Sequence, residues 1–182
     1  MKRNYTNIIL ASVLILLAAM MRIVNREMHL YNLAPIGAVG LFAGAVIKDK
    51  RYAYLLPLLS MFIADVYFQL FTSVTGFYGI EQLLVYFAMG LVTFLGTKMG
   101  TVNGVKVIGY SLIGSLIFFV ISNFGSYLRG WWGYDLKGLA TTYTMAIPFF
   151  KNTVVSELAG SIALFGLYFI GQKAIAPKTQ NA

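Results

Sequence analysis

The sequence predicts an all-α integral membrane protein of about six transmembrane helices, in a single domain over residues 1–182. Three observations predict it. The chain is 59% hydrophobic and only 11% charged, with mean hydropathy +0.75, against roughly 25% charged residues in an ordinary soluble domain. Apolar windows of near-spanning length recur six times along it. The Lys and Arg residues behind the formal charge of +8 gather in short clusters between those windows. That is the pattern of membrane topology, and it argues against nucleic acid as a partner and for the lipid bilayer.

In chain order the windows fall at residues 7–24, 34–47, 52–72, 80–97, 105–122 and 153–172. Most approach the ~20 residues that cross ~30 Å of hydrocarbon. The first follows Lys2 and Arg3, has no small-x-small cleavage site and is closed by Arg22, so an uncleaved span is expected in place of a signal peptide. The second, at fourteen residues, opens with Pro35 and is expected to be tilted or partly re-entrant. Its Gly37, Gly40 and Gly44, with Ala43 and Ala45, form a small-residue face, and Ser156, Gly160 and Ala163 do so in the sixth. Such faces let helices approach closely, and internal packing is the expected use. The third window carries Asp65, Gln69 and Thr72 at i, i+4 and i+7, one polar stripe on one side of a helix. The fourth and fifth windows are expected to be spanning helices. Between the fifth and sixth lies 123–152, whose apolar stretch 138–150 is too short to cross. A re-entrant or interfacial helix is expected there, ended by Pro148 before Asn152 or Thr153 caps the last span.

Placing the N-terminus inside puts Lys2, Arg3, Lys48, Lys50, Arg51, Lys98, Lys106, Lys173 and Lys178 on the cytoplasmic side, nine against five outside. The rule that positive loops stay inside therefore expects both termini in the cytoplasm of a bacterial inner membrane. The outer connections are the longer ones and carry Tyr127, Trp131, Trp132, Tyr134 and Tyr143, so function is expected on the outer half.

Two carboxylates, Asp65 and Glu157, stand well inside spanning windows, beyond their first residues. An ionised group in hydrocarbon costs roughly 2.5–3.5 kcal/mol on insertion scales, so each needs a partner, a cavity or a ligand. Asp65 stands about 20 Å along its helix, and Glu157 about one turn below the outer start of the sixth, which gives them similar depth. They are expected to line one outward-open pocket. The alternative reading makes them structural, hydrogen-bonded to neighbouring helices or paired with Arg22, Arg129 or Lys151. Trp131 and Trp132 flank Arg129 and form either an interfacial belt or a lid stacking over a ligand. Asn123, at the outer end of the fifth window, offers a donor and an acceptor to a ligand or to the backbone.

The chain lacks GxSxG, P-loop, HExxH and Gly-rich dinucleotide signatures, and has only one aspartate in a span, so no enzyme is expected. It has no cysteine and one histidine, His29, which cannot complete a zinc site alone; no metal and no cofactor are expected.

The segment Asn32-Leu-Ala-Pro-Ile-Gly-Ala-Val-Gly-Leu-Phe-Ala-Gly44, the run Pro57 to Asp65, the run Phe118 to Leu128 and the run Gly138 to Asn152 together resemble an uncharacterised family of small bacterial membrane proteins. More loosely, six helices with a short second one and a loop-covered outer pocket are similar to the substrate-binding S-components of energy-coupling-factor vitamin transporters, nearest to the cobalamin type. That resemblance implies a vitamin-binding subunit that carries its ligand inward, loops 26–32 and 123–152 closing over it. It also implies an energising module as partner. The Ala-x-x-x-Ala docking pattern of such subunits is absent, since Ile15, Arg22 and Ile23 follow Ala11, Ala18 and Ala19 at i+4. The expected function is uptake of a vitamin-like small molecule through a pocket formed by Asp65, Gln69, Asn123, Arg129, Trp131, Tyr143 and Glu157, with His29 as a further contact. The alternative is a non-transporting structural subunit of a larger membrane complex.

Overall fold

A computed structural model describes residues 2–30 and 33–175, with side chains over 15–30 and 33–170. Tyr31, Asn32 and the tail from 176 on, including Lys178 of the topology argument, lie outside the described residues. Six helices follow one another: α1 Lys2–Glu27, α2 Ile36–Val46, α3 Lys50–Phe71, α4 Ile80–Thr97, α5 Gly104–Leu128 and α6 Leu136–Ile175. Among the described residues α3, α4, α5 and α6 are long and apolar enough to cross a membrane. α2, at eleven residues, is about 16 Å long and reaches only half of a ~30 Å core. Among the described residues the chain is all-α, with several helices apolar enough to suit a membrane.

The α2–α3 and α4–α5 connections lie at one end of the bundle, called the basic end after Lys48, Lys50, Arg51, Lys98 and Lys106. Their lysines close helices as well as charge the surface. Lys50 Nζ donates to the carbonyls of Gly44 and Ile47 at 3.0 and 2.9 Å, and Lys106 Nζ to that of Met99 at 3.0 Å. Asp49 and Asn103 cap the helices that start there, accepting from the amides of Arg51 and Lys106. The other three connections form the loop end.

Glycine decides how α2 sits. A Cβ on Gly44 would run into the Thr93 carbonyl oxygen of α4, one on Gly96 into that of Leu41, and one on Gly40 would lie 2.9 Å from Thr93 Oγ1. The expected small-residue face of α2 thus packs inside the chain, against α4. Gly160 of α6 does likewise, with Pro35 in the space its Cβ would need. Below this contact Leu41, Val92, Met99, Val107 and Phe165 fill the basic half, with the rings of Phe42 and Phe165 edge to face at 5.2 Å.

α6 departs from expectation. Residues 138–150 are helical, but they continue without a break into the last span, so α6 runs 40 residues with Pro148 inside it. Asn152 and Thr153 therefore start nothing; Thr153 Oγ1 bonds back to the Phe149 carbonyl at 3.2 Å. The connection after α5 shrinks from 123–152 to 129–135. Proline removes one ladder bond, yet in apolar surroundings helix remains the way to satisfy the other backbone groups. Contacts with α5 hold both sides of the proline: Tyr143 OH donates to the Val120 carbonyl at 2.7 Å, and the Phe119 and Phe150 rings lie 4.5 Å apart. Asp135 begins α6 by accepting from the Gly138 amide at 2.7 Å.

Candidate functional site

All six helices contribute to a cavity of about 950 Å³ in the loop-end half of the bundle. Its charged lining consists of Arg22 and Arg26 from α1, Asp65 from α3, Glu81 from α4, Arg129 at the end of α5 and Glu157 from α6. Opposite charges inside an apolar bundle need pairing, and the first question is which pairs are made.

Asp65 is fully buried, with an ion pair at one carboxylate oxygen and hydrogen bonds at the other. Arg22 Nη1 lies 2.5 Å from its Oδ1, while Gln82 Nε2 and Tyr86 OH each donate to Oδ2 at 2.6 Å. The same Arg22 nitrogen lies 2.9 Å from the Met61 carbonyl, and its guanidinium stands 5.9 Å from the Phe68 ring centre. Three helices, α1, α3 and α4, are thereby tied at one carboxylate. Tyr78, in the connection 72–79, lies beside this cluster; burial raises its hydroxyl pKa above the ordinary value, more than nearby Arg22 lowers it. The hydroxyl stays protonated.

Glu81 is the second paired acid. Arg129 Nη1 lies 3.0 Å from its Oε2 and Ser126 Oγ donates to its Oε1 at 2.6 Å, joining the start of α4 to the end of α5. Gly125 permits this approach, since its Cβ would stand 3.2 Å from the Glu81 backbone. Arg129 also lies 5.0 Å from the Trp131 ring centre.

Glu157 is 8% exposed and is held differently. Its Oε1 accepts from the Gly37 amide at 2.9 Å. Pro35, at the N-cap of α2, supplies no side-chain cap, so a carboxylate from another helix satisfies the first turn in its place. A Cβ at position 37 would sit 2.8–2.9 Å from the Glu157 carboxyl atoms, which is why glycine stands there. No cationic side chain among the described residues pairs with Glu157. Beneath it a void of about 10 Å³, on the order of one water, is bordered by Ser111 and Ser115. The Ser111 and Ser161 hydroxyls, 2.7 Å apart, continue the polar seam before the apolar fill begins.

Of the residues expected to form a pocket, Asp65, Asn123, Arg129 and Glu157 line this cavity. Asn123 turns its amide nitrogen back to the Phe119 carbonyl at 2.8 Å. Gln69 is not part of the lining. Its neighbour Phe68 is in the lining, while Gln69 Oε1 accepts from the amides of Gly76 and Phe77, pinning the α3–α4 connection. Thr72 ends α3, donating to the Phe68 carbonyl and accepting from the Val74 amide. Tyr143 braces α6 on α5, and Trp131 is 69% exposed, stacked on Arg129 and not among the lining residues. His29 follows α1 with positive φ and its amide bonded to the Arg26 carbonyl, away from the lining. Sequence reasoning missed Glu81, Gln82 and Tyr86, and placed Gly37 only on a packing face. Gln82 and Tyr86 carried a signal: spaced i, i+4 in an apolar window, they form a polar stripe like the one chosen on α3.

Residues 2–179 match a family described as a family of unknown function (DUF6580), and the chain belongs to it. No curated protein and no solved structure matches it.

Proposed function

We propose that this member of the family binds a small molecule in the loop-end cavity and serves as the substrate-binding subunit of an uptake system in a bacterial inner membrane. The observation that supports the reading most is the cavity itself. Its volume of about 950 Å³ lies at the upper end of the ~300–1,000 Å³ of ligand sites. Space of that size inside a helical bundle forfeits packing that a purely structural subunit would keep. The basic half, filled by Leu41, Val92, Met99, Val107 and Phe165, gives a floor where a channel would need a second opening.

In this reading the loop end faces outward, both termini lie in the cytoplasm, and the first third of α6 rides at the outer interface with Leu136, Met145 and Ile147 toward lipid. The cargo is vitamin-like in size, as in the S-components the sequence resembles, and an energising module would drive its release. Native mass spectrometry of the detergent-purified protein tests the proposal. A small molecule that co-purifies and leaves on denaturation supports it. A ligand-free chain held in a stoichiometric protein complex favours the structural-subunit reading instead.

A further inference from the structure

We propose that the ligand carries a positively charged nitrogen and that Glu157 receives it, an inference that rests on the cavity being a ligand site. Three carboxylates line the cavity, and two are neutralised from within. Asp65 has Arg22 at 2.5 Å and two neutral donors; Glu81 has Arg129 at 3.0 Å and Ser126 at 2.6 Å. Glu157 has the Gly37 amide and no cationic side chain among the described residues. The N-terminus of α2 supplies only about half a positive charge, so a full cationic partner is what an ionised carboxylate at this buried position still lacks.

The wall around it suits a cation. Phe149 lies two turns before Glu157 on α6, with Thr153 between them at the same helical spacing, and all three line the cavity together with Phe118 and Phe119 of α5. Aromatic faces attract cationic nitrogen, most strongly where water is excluded. An anionic ligand would meet the opposite situation. It would have to draw Arg22 or Arg129 from carboxylates that already hold them, leaving those acids buried and unpaired, or compete for Arg26, the third lining cation, which is also engaged within the chain.

The test uses the full chain in detergent and three probes of similar shape and different charge: phenethylammonium, 2-phenylethanol and 3-phenylpropionate. Affinity is read by titration calorimetry on the wild type, Glu157→Gln and Glu157→Asp. The ammonium probe is expected to bind about tenfold or more tightly than the other two. Glu157→Gln, which keeps an acceptor for the Gly37 amide, is expected to erase that preference with an unchanged melting temperature, and Glu157→Asp to retain it. Preference for phenylpropionate, or an ammonium preference that survives Glu157→Gln, overturns the assignment and leaves the binding cavity standing. Equal failure of all three probes also overturns it, and ligand-free native mass spectra would then remove the cavity reading with it.

Discussion

Glu157 Oε1 accepts the Gly37 amide hydrogen across 2.9 Å, and this bond joins the longest helix of the bundle to the first turn of the shortest. A half-length helix inside a membrane protein begins with amides that have no partner within the helix. Here the solution is a carboxylate from across the bundle, brought close because position 37 has no side chain. The same carboxylate borders the cavity, so the residue that secures α2 also sets the charge of the site.

Glu157→Leu is therefore expected to destabilise the chain where Glu157→Gln does not. Leucine leaves the Gly37 amide without its acceptor, at a cost of about 1–3 kcal/mol. Melting temperatures of the two variants in one detergent check this: the leucine variant should fall below the wild type and the glutamine variant stay level with it.

Glycine substitutions should separate by position. Gly44→Ala drives a methyl into the Thr93 carbonyl oxygen, a backbone atom that cannot step aside, and should lower thermal stability markedly. Gly90→Ala and Gly109→Ala meet nothing within 4 Å in α4 and α5 and should leave it unchanged or raised by up to about 1 kcal/mol through helix propensity. Parallel melting curves of the three variants decide it.

The two ion pairs should differ in weight. Arg22 and Asp65 are 18% and 1% exposed at their side chains, and Arg22→Ala, which strands the acid, should cost about 3–5 kcal/mol. Arg129 and Glu81 are 37% and 17% exposed, and Arg129→Ala should cost about 1 kcal/mol or less. A double-mutant cycle on each pair, read by thermal unfolding, should give a large coupling for the first and a small one for the second.

Much of this fold was legible from hydropathy alone, because a bilayer leaves the backbone few choices. The expected fourth window matches α4 residue for residue at Ile80–Thr97, and the glycine face of α2 packs inside the chain as its spacing implied. Local signals misled at Pro148: a proline followed by Asn152 and Thr153 reads as a stop and a start, yet contacts of Tyr143 and Phe150 with α5 carry one helix through. Helix spacing along one chain also could not separate lining from bracing. Gln69 shares a stripe with Asp65 but lies where α3 meets its following loop, while Gln82 and Tyr86 reach Asp65 from a different helix. Asp65, supported by its stripe, proves to be satisfied by the protein itself. Glu157, with no such stripe, is the one of the three lining carboxylates with which no cation of the described residues pairs.

The most direct test of the central claim, a ligand held in the loop-end cavity, is native mass spectrometry of the wild type beside Ala146→Trp, which places a large ring at a lining position. The account predicts a small-molecule adduct on the wild type that is lost from the tryptophan variant while its melting temperature is retained. A wild type without any adduct, or an adduct equally abundant on both chains, would contradict it.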